Sequence, residues 1–181
     1  MKISVIEKAA QIAVVAHKNQ VRKSDDTPYI VHPFMVAEKL IRYGFSDYTV
    51  AAGLVHDVIE DSDWTEADIE KDLGDEVLEI VKYISENKTQ VWEERKQHYA
   101  ERMKEAPPEA KAVCAADKIH NLESSLIAYE EQGENLWDKF NRGRDQKLEV
   151  EKLVLASLKF NWDHPLLVEY EELLGKMEKL K

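Results

Sequence analysis

Three features of the sequence predict an all-α fold. Apolar residues recur at spacings of three and four almost throughout the 181 residues, no stretch alternates with period two between hairpin turns, and Gly and Pro number only six and five. A hydrophobic fraction of 44% beside a charged fraction of 34% excludes a disordered or low-complexity chain. The length suits one domain around one core, so residues 1–181 are expected to form a single multi-helix bundle.

Taken in order, the first helix is expected from about Ile3 to Asn19, with Ile3, Ile6, Ala10, Ala13, Val14 and His17 near one face. Gln20 to Val31 is polar and turn-like. Pro33 suits the first turn of a second helix running to about Tyr43, because its missing N–H would be unpaired there anyway, and Gly44 ends that helix. A third helix is expected from Asp47 to Asp61. Its Ala51-Ala52-Gly53-Leu54-Val55 and Val58-Ile59 are apolar nearly all round, which places it in the middle of the fold. Thr65 with Asp68 three residues on forms a helix start, Gly74 a stop, and Asp75 opens a helix to about Ser85. Glu86 to Val91 reads as a loop and Trp92 to Glu105 as a charged helix. After Pro107-Pro108 comes a second strongly apolar helix, through Val113-Cys114-Ala115-Ala116 to about Gly133. Helices over 134–141 and 145–159 follow, and Pro165 starts an amphipathic terminal helix.

Charge narrows the function. The net charge of −11 is uneven: +2 over residues 1–50, −9 over 51–100 and −4 over 101–181. With no basic stripe, a nucleic acid polymer is not an expected partner, since phosphate neutralisation supplies most of that affinity. A small phosphorylated ligand needs only a few local cations, such as Arg22-Lys23. Met1 to Lys8 is charged too often for a signal peptide or a membrane span, which points to the cytoplasm. The lone Cys114 has no partner in the chain and should fill the core.

The chemistry-bearing residues sit on the two most apolar helices, where ionised groups are costly unless paired or metal-bound. The string His56-Asp57-Val58-Ile59-Glu60-Asp61 sets His56 over Glu60 and Asp57 over Asp61, and Asp117, His120 and Asn121 share a face of the later helix. His32 stands just before Pro33. One divalent cation accounts for His32, His56, Asp57 and Asp117 together, and this nitrogen and oxygen set suits Mn, Fe or Zn better than Ca. Glu60 or Asp61, one turn further on, is placed to orient a water or take its proton. Glu66 at the sixth position and Asp72 at the twelfth rule out a calcium loop beginning at Asp61. A His-Glu-x-x-His zinc motif and a glycine-rich phosphate loop are both absent. His17 is expected in the core, His98 in solvent and His164 at a helix start, with Trp64, Trp92, Trp137 and Trp162 anchoring helices.

These motifs resemble the four-ligand signature of the HD metal phosphohydrolase superfamily. More narrowly, Ala16-His17, Arg22-Lys23-Ser24, Thr27-Pro28-Tyr29-Ile30-Val31-His32-Pro33, Leu54 to Asp61 and Ala116 to Leu122 are similar to the hydrolase domain of RelA/SpoT proteins and its stand-alone small relatives. The resemblance covers roughly residues 5 to 150. It implies one Mn²⁺ held by His32, His56, Asp57 and Asp117, with Glu60 and Asp61 activating water. The implied reaction removes the 3′-pyrophosphate of guanosine 3′,5′-bis(diphosphate), ppGpp. Arg22, Lys23 and Asn121 are implied substrate contacts, and Lys88 matches a pocket-shaping segment loosely. Two departures bear on the nucleotide rather than the metal. Asp25-Asp26 stands where relatives commonly have a glycine-containing turn, and Lys147-Leu148-Glu149-Val150 where they often have aromatic residues. The same chemistry on another nucleotide or a dinucleotide cofactor, and a non-catalytic metal- and nucleotide-binding sensor, stay open as alternatives.

Overall fold

The computed structural model describes residues 3–181, so Met1 and Lys2, part of the charged start discussed above, lie outside the described residues. Helix α1 (Val5–Ala16) begins at Ser4, whose side chain accepts from the Glu7 N–H. Helix α2 (Val31–Arg42) starts two residues before Pro33, which leaves the proline within the first turn as expected. Helix α3 (Asp47–Val55) is capped by Ser46, and the short α4 (Val58–Asp61) continues it after a break. Helix α5 (Glu66–Leu73) opens with the Thr65–Asp68 capping box. Next come α6 (Asp75–Ile84), α7 (Trp92–Glu105) and the 25-residue α8 (Pro108–Gln132). A 3₁₀ segment (Gly133–Lys139), α9 (Gly143–Lys159) and α10 (Pro165–Met177) complete the chain. Among the described residues there is no strand, only an isolated antiparallel bridge between Val21 and Pro28.

The break at His56-Asp57 departs from the continuous helix predicted over 47–61. The His56 ring bonds the Gly53 carbonyl at 2.8 Å, the acceptor that an unbroken helix would offer to the Asp57 N–H. The segment expected as a helix over 134–141 is a 3₁₀ turn that reaches only Lys139.

Helix α3 runs through the centre, with Thr49 to Val55 all buried, and packs on α1, α2, α6 and α8. Gly53 sets the distance to α2: a Cβ there would lie 2.6 Å from Leu40 Cδ1 and 3.3 Å from Val36 Cγ1. That close approach brings His32 on α2 against His56, their ring centroids 5.1 Å apart. Burying Lys39 is tolerable because Glu169 of α10 and Glu123 of α8 meet its ammonium at 2.6 and 3.2 Å, which ties three helices together. At the far end, the Tyr170 hydroxyl donates to Glu151 at 2.5 Å and locks α10 to α9. Cys114 is buried and accepts from the Tyr99 hydroxyl at 3.1 Å, as a core residue.

Candidate metal centre

The four predicted ligands converge. His32 comes from the first turn of α2, His56 and Asp57 from the break between α3 and α4, and Asp117 from the middle of α8. His32 Nε2 lies 3.1 Å from Asp117 Oδ1 and 3.7 Å from Asp57 Oδ2, while His56 Nε2 lies 3.0 Å from Asp57 Oδ2 and 3.8 Å from Asp117 Oδ1. Donor atoms of His32, His56 and Asp57 all fall within 4.8 Å of one another.

These side chains fit a divalent cation on their own chemistry. His56 spends Nδ1 on the Gly53 carbonyl, and its Nε2 is buried without a hydrogen-bond partner, aimed at two carboxylates. Such a buried orphan needs an explanation, and a metal supplies one. Burial pulls the His56 pKa down, but the adjacent Asp57 and then Asp117 outweigh it and push it up to about 9. Burial lowers His32 instead, against the pull of Asp117. Burial opposes ionisation of both carboxyls too, yet His56 beside Asp57 and Lys118 beside Asp117 hold them well below the usual carboxylate range.

A chamber of about 150 Å³ surrounds this cluster, and Glu60 and Glu86 also line it. It shares Tyr29 and Asn121 with a cleft of about 530 Å³ that contains Arg22, Lys23, Asp61 and Lys147. A further hollow of about 670 Å³ shares Lys23, Asn121 and Lys147 with that cleft and adds Arg95, Lys96, Lys118, Lys139 and Arg142, against the single carboxylate Glu151. Cations are thus gathered on one face of an otherwise acidic protein.

The structure separates the two acids. Glu60 faces the metal chamber, where burial raises its pKa and the Glu86 N–H donates to it at 2.8 Å. Asp61 faces the cleft, its carboxylate 2.5 Å from Lys88 Nζ. Lys88 also donates to the Glu60 carbonyl at 2.8 Å, so it joins the 86–91 loop to both acids but lines none of the three cavities. Arg22 is buried and donates to Asn121 Oδ1 at 2.9 Å, and Asn121 donates to Asp117 Oδ1 at 2.5 Å. Lys23 is exposed on the cleft wall.

The two departures from the family pattern are accommodated. Asp25 accepts from the Thr27 N–H and hydroxyl at 3.0 and 2.7 Å, and Asp26 takes the left-handed φ of 58° that glycine would adopt freely. Phe140 joins Tyr29 in lining the cleft, with Lys147 Nζ 5.0 Å from the Phe140 ring centroid.

Several contacts of the site are not specified by the sequence. Tyr29 donates to Asp57 Oδ2 at 2.5 Å, and His120 Nδ1 meets His32 Nδ1 at 2.8 Å. Glu86 is paired with Arg95 at 2.9 Å and Lys96 at 2.5 Å. Tyr29 and His120 stand inside recognisable motifs, but only the fold shows which ligand each one touches. The other histidines behave as predicted: His17 is buried beside Tyr29, His98 is exposed, and His164 caps α10. Trp64, Trp137 and Trp162 pack against the core, whereas Trp92 lies under Arg142.

Residues 9–144 match the model of the HD domain family. The chain belongs to the HD domain family. Among its relatives is the guanosine-3′,5′-bis(diphosphate) 3′-pyrophosphohydrolase MESH1 of Mus musculus, 39% identical over 117 residues, which are 63% of this chain and 65% of the mouse protein. The matched stretch therefore spans just under two thirds of that relative. A crystal structure of lmo0812 from Listeria monocytogenes EGD-e superimposes with a TM-score of 0.77 at 37% identity, covering 82% of this chain and 99% of the other. The structure of a metazoan ortholog of SpoT, described as hydrolysing ppGpp with a role in starvation responses, gives a TM-score of 0.83 at 25% identity over 97% of both chains. As an HD domain the chain carries a His-His-Asp cluster suited to a divalent metal. None of its described helices is long and apolar enough to cross a membrane.

Proposed function

We propose that the chain hydrolyses guanosine 3′,5′-bis(diphosphate) to GDP and pyrophosphate, as a single HD-type unit using Mn²⁺ in the cytoplasm. The observation that carries this reading is the juxtaposition of a small donor-lined chamber with a large cation-lined cleft through the shared residues Tyr29 and Asn121. A reacting phosphoryl group belongs in the first and the remaining phosphates in the second. The similarity to the mouse and metazoan proteins supports the same substrate.

In this reading His32, His56, Asp57 and Asp117 hold the metal. When bound, the cation supplies an acidified water and draws charge from the phosphoryl oxygens. Glu60 is the group placed to take the water's proton, because it faces the chamber and burial keeps its carboxylate basic. The bond between the ribose 3′ oxygen and phosphorus breaks, water's hydroxyl leaves on pyrophosphate, and a proton ends on the 3′ oxygen of GDP. Arg22 and Lys23 meet the phosphates or base from the cleft wall, and Asn121 contacts the nucleotide while steadying Asp117. Asp61 acts from the cleft side, oriented by Lys88.

A substrate panel tests the specificity part of this proposal. With Mn²⁺-loaded protein, kcat/KM for ppGpp should exceed that for GTP, deoxynucleoside triphosphates and phosphorylated dinucleotide cofactors. A preference for one of the competitors would keep the metal chemistry and overturn the substrate. Tight metal-dependent binding of ppGpp without turnover would identify a sensor instead.

A further inference from the structure

The loop that carries Arg22 and Lys23 is fastened to both carboxylates of the metal cluster, by two separate routes. On one, the Tyr29 hydroxyl donates to Asp57 Oδ2 at 2.5 Å, the oxygen that lies nearest His56 Nε2. On the other, Arg22 donates to Asn121, which donates to Asp117 Oδ1. The loop itself is a closed unit. Arg22 N–H bonds the Thr27 carbonyl at 2.8 Å, Tyr29 N–H bonds the Gln20 carbonyl at 2.9 Å, and Val21 pairs with Pro28. Anything that fixes Tyr29 therefore fixes the backbone on which Arg22 stands.

We propose that Tyr29 is a positioning residue that couples this loop to the metal centre, so that holding the metal and ordering residues 20–30 are one event. The reason is geometric. A carboxylate at a helix break can rotate about its last torsion, and a donor of fixed direction selects the orientation that presents Oδ2 to the imidazoles. The Tyr29 ring cannot swing to follow it, because it is held between His17 and His32 at centroid distances of 4.8 and 5.8 Å. By reciprocity, a metal that pulls Asp57 into place must stabilise the loop by as much as the ordered loop strengthens metal binding.

The inference rests on the metal site proposed above and not on the substrate, so its test contains no nucleotide. Chelator-stripped wild-type and Tyr29→Phe proteins are titrated with Mn²⁺ by calorimetry, and amide hydrogen exchange over residues 20–30 is followed with and without the ion. The variant keeps the ring packing and loses only the hydroxyl. Its Mn²⁺ affinity should fall by about ten- to a hundredfold, the usual cost of losing such an outer partner. Metal loading should slow exchange in the wild-type loop and leave it fast in the variant.

Equal affinities, or wild-type loop exchange indifferent to Mn²⁺, would overturn the proposal. So would a metal-free variant that has lost the wild-type thermal transition, because Tyr29 would then be serving the fold and not the ligand. Failure of the wild-type chain to bind Mn²⁺ would remove the metal centre and this coupling together. A chain that binds Mn²⁺ as expected but leaves ppGpp intact would lose only the substrate assignment.

Discussion

His32 Nδ1 and His120 Nδ1 lie 2.8 Å apart, and a single hydrogen must sit between them. His120 is driven down to about 3, by burial first and then by the neighbouring His32 and Arg22, so it is neutral and able to accept. With His32 Nδ1 donating, its Nε2 is left with a free lone pair facing Asp57 and Asp117. His120→Phe should therefore keep the fold and weaken Mn²⁺ binding by about tenfold or more, read by metal titration.

Removing a ligand should do more. Asp57→Ala leaves two imidazoles beside one carboxylate, and the metal should be lost together with turnover. Elemental analysis of the gel-filtered variant checks this, and full occupancy would remove Asp57 from the ligand set.

Glu60 separates chemistry from metal binding. Glu60→Gln preserves the acceptor for the Glu86 N–H and should retain metal, yet slow kcat by about a hundredfold or more, as expected for loss of a general base. The sign of the pH effect follows from the raised pKa. The base is active when ionised, so activity is present above that pKa and falls as the pH drops through it. The acidic limb of kcat/KM should thus lie above the 4.5 of an ordinary glutamate and disappear in the variant. An acidic limb that persists in Glu60→Gln would move the role to another group, Asp61 first.

The distance between α2 and α3 is also a functional quantity. Gly53→Ala would drive a methyl into Leu40 and Val36, and overpacking of this kind costs about 1–3 kcal/mol. The thermal transition should fall accordingly. Because the same crossing sets His32 against His56, Mn²⁺ affinity should fall with it.

Features set by short-range forces can be read from the sequence, and those set by contacts between distant segments cannot. The helical class, the buried α3 and α8, the capping box at Thr65 and the stop at Gly74 all follow from spacing and local chemistry, and they stand in the structure. The convergence of His32, His56, Asp57 and Asp117 was legible too, because histidines and carboxylates on apolar helices conflict with burial unless something pairs them. The helix break at His56-Asp57 was not, since it depends on a ring competing for one backbone carbonyl. Nor was the separation of Glu60 from Asp61. Adjacent in the chain, they face different cavities, and the 86–91 loop reaches back to bind each one separately. Lys147 and Phe140 enter the cleft through the path of the chain after α8, which no local pattern records.

The most direct measurement is the fate of ppGpp itself. Purified protein is incubated with ppGpp and Mn²⁺, with and without chelator, and the products are separated by anion-exchange chromatography. GDP and pyrophosphate should form in equal amounts, and both the chelator and Asp57→Ala should abolish them. Intact ppGpp in the presence of bound Mn²⁺, or guanosine products formed equally well in chelator, would contradict the proposed reaction.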